Sequence, residues 1–320
     1  MANPALYPTA IRIFRKDLAK NLFNNNEFLL RSRDWSADAI GNQVVWSQSG
    51  SAPNVVINGT AVPLTPANRT DIQRAFLLDE YQSIPTGVNI TEELMVNYAL
   101  RQDILESHLE QIRSHLADRI IYNWALAAAT SGGIFKTTGA SRPATAPGAT
   151  GTRLAVTYAD ILKLQKKIVK DKVPYQIGKI NLLVPADLME EIMNLNEFKS
   201  RGYFPMQNDT TSPLNGAFMV GTIAGARVFV QNNVLISNNA ATPVLQLPKA
   251  DNSATPRTPA TTDCQGILMW HEDYVVRAVS EASKVNIIEG HGRTEFSITG
   301  IAGGTSMYST GLGVAILVEG

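Results

Sequence analysis

Residues 91–130 read TEELMVNYALRQDILESHLEQIRSHLADRIIYNWALAAAT, with no glycine or proline before Gly132. Leu94, Tyr98, Leu105, Leu109, Ile112, Leu116 and Ile120 recur in steps of three, four and seven, the spacing of one helical face. Thr91 is placed to cap this helix, and Glu92 and Glu93 set negative charge at the positive end of its dipole. Forty residues at about 1.5 Å rise predict a rod about 60 Å long, several times the ordinary globular helix. Arg101, Asp103, Glu106, Glu110, Arg113 and Asp118 on its other faces exclude a membrane span. A helix this long needs a surface to lie across.

A coiled coil would hold an a/d heptad, whereas this spacing drifts. The flanking chain is rich in Val, Ile, Thr, Gly and Pro, so the helix is expected to be a spine packed on a sheet. The 320 residues suffice for one large domain or two ordinary ones. Basic and acidic residues balance at 28 each, which argues against a dedicated DNA-binding surface. A single cysteine, Cys264, excludes a disulfide within the chain and favours a reducing compartment. The opening MANPALYPTAIRIF lacks the layout of a signal peptide, so folding in a cytoplasm is expected.

Residues 1–36 read as an arm. Ile11, Phe14, Leu18 and Leu22 form a helix-like stripe beside Arg12, Arg15, Lys16 and Lys20, and residues 1–33 hold six basic and two acidic side chains. Such an arm crosses a neighbouring subunit, faces nucleic acid, or is an ordinary amphipathic helix on its own domain. Residues 37–90 are strand-like at Asn42–Ser47 and Asp71–Ile84, with a short inner strand expected at Val55–Ile57. A two-stranded ribbon is marginal in water by itself, yet Trp46, Phe76, Leu77, Leu78 and Tyr81 need cover. The ribbon folds back on its own body or lies on another chain.

Beyond the spine, 131–153 is turn-rich and of low complexity, which predicts a mobile loop. A helix is expected over Tyr158–Lys170, a strand over Ile180–Val184, and a helix from Pro185 to about Asn194. An apolar strand pair is expected within 215–235, interrupted by Gly221 and Gly225, then a surface excursion from Ser237 to Asp263. Two strands are expected in Gly266–Ser280 about a turn at His271–Asp273. Three more in Lys284–Gly320 would form a sheet beneath the spine.

Little of this carries catalytic chemistry. His108 and His115 share a helix face but stand about 10 Å apart along it, too far to share a metal. Gly-rich stretches at 221–225 and 300–313 match neither phosphate-binding pattern. Glu190 and Glu191 are adjacent on a helix and should point apart toward solvent. No catalytic, cofactor-binding or metal-ligating residue is nominated, and an enzyme is not expected.

The order of parts, with NGAFMVGTIAGARVFVQNNV, ILMWHEDYVVRAV and the closing YSTGLGVAILVEG, resembles the major capsid protein of tailed bacteriophages. That α+β fold, the Hong Kong 97-type, is shared with encapsulins and the herpesvirus capsid floor. The resemblance implies an N-arm at 1–36 and an extended β-hairpin E-loop at 37–90. A peripheral domain would comprise 91–153 and 281–320, with its spine helix at 91–130. An α/β axial domain would span 154–280, with a flexible loop near 237–263.

The implied function is structural. Copies of the chain would form hexamers and pentamers of an icosahedral shell around double-stranded DNA, bound without sequence specificity, in a virion assembled in the host bacterial cytoplasm. No cofactor and no membrane are implied. The alternative is an encapsulin-type nanocompartment around protein cargo. Inter-subunit contact is expected of Arg12, Arg15 and Lys16 on the arm, and of Trp46, Arg69, Asp71, Arg74 and Phe76 on the ribbon. About 36 residues precede the ribbon, so scaffolding would come from a separate protein or be absent; portal and decoration proteins are further possible partners. Some members of the family cross-link an E-loop lysine to an asparagine of a neighbour. This ribbon has no lysine, since none lies between Lys20 and Lys136, so a non-covalent shell is expected.

Overall fold

A computed structural model describes residues 26–48, 55–58, 71–89, 98–174, 176, 178–196, 219–280, 284–290 and 293–320. The expected arm helix, most of the ribbon's far end and the expected helix start at Thr91 lie outside these residues. Helix α1 occupies Tyr98–Thr130. Leu105, Ile112, Leu116, Ile120, Trp124 and Ala128 are buried along it, at steps of seven and four that keep one stripe inward. Gly132, at φ +76°, ends it, and Gly133 donates to the Ala128 carbonyl at 2.8 Å. A left-handed glycine past the last turn satisfies an orphan helical carbonyl without a Cβ penalty.

With strands numbered in chain order, the larger sheet has eight. They are β7 (Ile134–Lys136), β10 (Ile180–Pro185), β11 (Met219–Ile223), β12 (Ala226–Gln231), β13 (Leu235–Asn238), β14 (Leu245–Gln246), β15 (Asp263–His271) and β19 (Val314–Val318). β15 is its middle, paired with β10, β13 and β19. Strand alternation sorts its residues onto two faces. Leu183, Phe229, Leu268, Trp270, Val314 and Ile316 join the core beneath α1. Leu182, Val184, Val228, Ile267, Met269, Ala315 and Leu317 join a second core on the opposite side. That core is closed by helices α2 (Tyr158–Lys170) and α3 (Ala186–Asn194), through Ile161, Leu164, Ile168, Leu188 and Ile192. The result is a helix–sheet–helix sandwich in which every central strand is buried on both faces. Each large apolar side chain so enclosed contributes about 1.5–3 kcal/mol.

The second sheet has six strands: β1 (Arg33–Asp34), β5 (Asp79–Gln82), β6 (Thr86–Asn89), β16 (Val275–Val279), β17 (Lys284–Gly290) and β18 (Arg293–Ser306). The fourteen-residue β18 is its backbone, pairing with β5, β6, β16 and β17. Phe296, Ile298 and Ala302 on β18 join the core under α1, so the long helix bridges both sheets. The chain before the ribbon is fastened by Arg277, buried on β16. Its guanidinium donates to the Leu29 and Ser32 carbonyls at 2.8 and 2.9 Å and to the Asp34 carboxylate at 3.1 Å.

The ribbon consists of β3 (Gln43–Gln48) and β4 (Ile72–Leu77), with the short β2 (Ala39–Ile40) beside β3. Val55–Asn58 form no strand, so the expected inner strand is absent there. The low-complexity stretch after the spine is ordered, against expectation. β7 pairs in parallel with β19, and β8 (Ser141–Pro143) pairs with β9 (Thr152–Leu154). Buried ion pairs hold it. Arg142 meets the fully buried Glu319 at 2.8 Å and also Glu191, while Arg153 donates to the Cys264 thiol at 3.0 Å. Glu191 is thus a structural anchor rather than part of a solvated face. Strand pairing also crosses the domain boundaries expected from sequence. β16 belongs with β18, and β19 leaves the sheet of β17 and β18 to pair with β15.

Candidate assembly surface

The two faces of the ribbon differ. Directly paired residues share a face, so Val44 with Phe76 and Trp46 with Arg74 form one side, and Gln43 with Leu77 and Val45 with Ala75 the other. The first side rests on the chain's own body. Val44 is fully buried with Leu78, Ala278 and Ile301, and Phe76 packs against that cluster. Trp46 sits between Trp35 and Phe76, tilted against the first at a ring-centroid distance of 5.3 Å and edge-on to the second at 6.0 Å. Arg74 donates to Ser309 Oγ at 2.6 Å, tying the ribbon to the loop before β19.

The second side is uncovered. Leu77 is 75% exposed and Val45 41%, with Ile40 beside them at 80%. Ile72, Val55, Val56, Ile57 and Ile84 are exposed as well. Eight of the fifteen exposed large apolar side chains among the described residues therefore lie between 37 and 90. Isolated exposed apolar residues are ordinary, whereas a concentration of them in one stretch of chain is a feature of interaction surfaces.

Of the residues expected to make inter-subunit contacts, Trp46, Arg74 and Phe76 lie together on the inward side of the ribbon. Asp71 is exposed at the start of β4. Arg12, Arg15, Lys16 and Arg69 lie outside the described residues. Leu77, expected from sequence to need cover, stays bare, and so do Val45 and Ile40, which the sequence did not single out. The period-two alternation about Val44 and Trp46 is the signal that separates the two faces.

A cleft of about 870 Å³ opens where α1, β5 and the 248–254 loop meet. Arg119 bridges it, bonding Asp79 at 3.3 Å and Asp251 at 3.0 Å. Burial raises the Asp118 carboxyl to about 7, and burial lowers both His108 and His115 below the ordinary histidine value. Burial, reinforced by the charge of Asp79, pushes the Tyr81 phenol up. Among the described residues no group of three His, Cys, Asp or Glu could hold a metal, and no helix is long and apolar enough to cross a membrane.

No protein-family profile matches the chain, and no curated protein matches it in sequence. Solved structures do match, over most of both chains. The capsid of Ralstonia phage GP4 aligns over 90% of this chain and 87% of its own at a TM-score of 0.62, with 8% identity. The capsid of cyanophage P-SCSP1u covers 90% and 86% at 0.60, with 12% identity. A structure from Mycobacterium phage Che8 covers 87% and 85% at 0.51, with 16% identity. At such identities the likeness is one of architecture: this chain has the Hong Kong 97-type fold of tailed-phage capsid subunits.

Proposed function

We propose that the chain is a major capsid protein, a structural subunit that assembles into hexamers and pentamers of an icosahedral shell enclosing double-stranded phage DNA. The observation that carries this reading is the ribbon's bare apolar face, Ile40, Val45 and Leu77, on a fold otherwise matched to phage capsid subunits. A neighbouring chain would cover that face, and a heterologous contact between unlike surfaces forms a ring when its rotation closes. In this reading the arm, with Arg12, Arg15 and Lys16, grips a neighbour, and the ribbon reaches across to the next subunit through Arg69, Asp71 and its bare face, while Trp46, Arg74 and Phe76 brace it on its own body. The shell would be part of the virion, assembled in the host bacterial cytoplasm, with scaffolding, portal or decoration proteins supplied separately. Likeness to phage capsids favours this reading over a compartment for protein cargo. Electron microscopy of the purified, overexpressed chain tests it: closed icosahedral shells are expected, and particles no larger than a dimer at high concentration would overturn it.

A further inference from the structure

Five of the chain's twelve lysines, Lys163, Lys166, Lys167, Lys170 and Lys172, fall within ten residues on α2 and its C-terminal cap. Two are neutralised locally: Lys163 meets Asp160 at 2.8 Å, and Lys167 meets Asp171. Lys166, Lys170 and Lys172 are exposed and have no carboxylate partner among the described residues. The inner stripe of α2 (Asp160, Ile161, Leu164 and Ile168) is buried against the sheet. Its outer stripe carries Ala159, Leu162, Lys166, Val169 and Lys170, all exposed, with Leu162 at 41% and Val169 at 49%. Two shallow hollows of about 480 and 400 Å³ meet at Leu162 and run the length of this face. Tyr158 and Leu195 floor one end and Val169 the other.

We propose that the outer face of α2 docks an acidic amphipathic helix from a protein partner. The stripe from Ala159 to Lys170 is about 17 Å long, three turns of helix. Its aliphatic residues alternate with unpaired cations, the pattern read by a helix that offers leucines on one face and carboxylates beside them. A nucleic-acid backbone would satisfy the lysines but offers nothing to Leu162 and Val169, so the apolar members of the stripe select a protein. The proposal is independent of the shell reading.

The test uses the full chain as unassembled subunits and a fluorescent helical peptide of about 14 residues, with leucines at i, i+3, i+4 and i+7 and glutamates flanking them. Anisotropy should report binding on the order of 10 μM, weakening as salt rises. Lys166→Glu with Lys170→Glu should weaken it at least about tenfold, and Leu162→Ser several-fold, with melting temperatures unchanged because these side chains are exposed. Failure of the wild-type chain to bind the peptide overturns the proposal, as does equal binding of a scrambled peptide. Tight binding of a duplex DNA probe that Leu162→Ser leaves untouched would assign the face to nucleic acid instead. A change in subunit self-association from the lysine variants, without peptide, would assign it to a second copy of the chain.

Discussion

The Trp124 indole occupies the space that a side chain at Gly304 would take. Its Nε1 donates to the Val276 carbonyl at 3.0 Å, crossing from α1 into the edge between β16 and β18. A Cβ on Gly304 would lie 2.7 Å from that carbonyl and 2.9 Å from both the indole nitrogen and the Ile120 methyl. The bare strand lets the spine helix lie close on the sheet, and the indole then satisfies a buried carbonyl.

Gly304→Ala should therefore destabilise the subunit by about 1–3 kcal/mol through overpacking, and Trp124→Phe by at least about 1 kcal/mol through the orphaned carbonyl. Because both act on one contact, the double variant should cost less than the sum. Urea unfolding of unassembled subunits measures all three, and strict additivity would show the two residues to be uncoupled.

The parts of this fold that the sequence displays are those set by near neighbours. Helix α2 begins where Thr157 and Asp160 form a reciprocal capping box and ends in lysines, so its bounds follow from local chemistry. The spine was visible as a stripe, and its end as Gly132. What stayed hidden depends on distant partners. Every residue of β15 is buried, so DCQGILMWH shows no alternation from which to tell its two faces apart. The 131–153 stretch looked mobile because its composition is that of a loop; its order comes from Arg142 and Arg153 meeting groups more than a hundred residues away. On the ribbon, Trp46 and Phe76 stood out by size and proved to be the inward side. The exposed face is made of smaller residues, Val45 and Ala75, with Leu77, and only the pairing register identifies it.

Asp118 makes stability depend on pH. Burial pushes its carboxyl up to about 7 in the folded chain, against an ordinary value of 3.8. A folded-state value above the unfolded one means that the native state holds the proton more tightly. Stability is full below about pH 4 and falls as pH rises through about 7. Asp118→Asn, which cannot ionise, should raise stability at pH 8 by on the order of 2 kcal/mol and change little at pH 4. Thermal melts of the subunit at both values decide this, and an equal effect at the two would remove the titration from the account.

The ribbon's bare face should matter for assembly and not for folding. Val45→Ser and Leu77→Ser remove exposed apolar surface, so the subunit should melt within about 0.5 kcal/mol of wild type yet fail to close shells. Phe76→Ala, on the inward side, should instead destabilise the isolated subunit. Sedimentation separates shells from subunits. Normal shell yield from the Val45→Ser, Leu77→Ser double variant would show that this face is not an assembly contact.

The mature shell should be held without covalent links between subunits. An isopeptide bond to a neighbour needs an amine nucleophile on the ribbon, and no lysine lies between Lys20 and Lys136. Arg74 is present there, but a guanidinium keeps its proton at any ordinary pH and does not attack an amide. Cohesion must then come from buried area. Obligate interfaces of this kind enclose roughly 2,000 Å² or more, and the uncovered faces of Ile40, Val45 and Leu77 are a source for it. Particles boiled in detergent should release the chain as a single 34.7 kDa species. A ladder of multimers that survives boiling, with branched peptides in its digest, would mean that a lysine outside the ribbon performs the reaction.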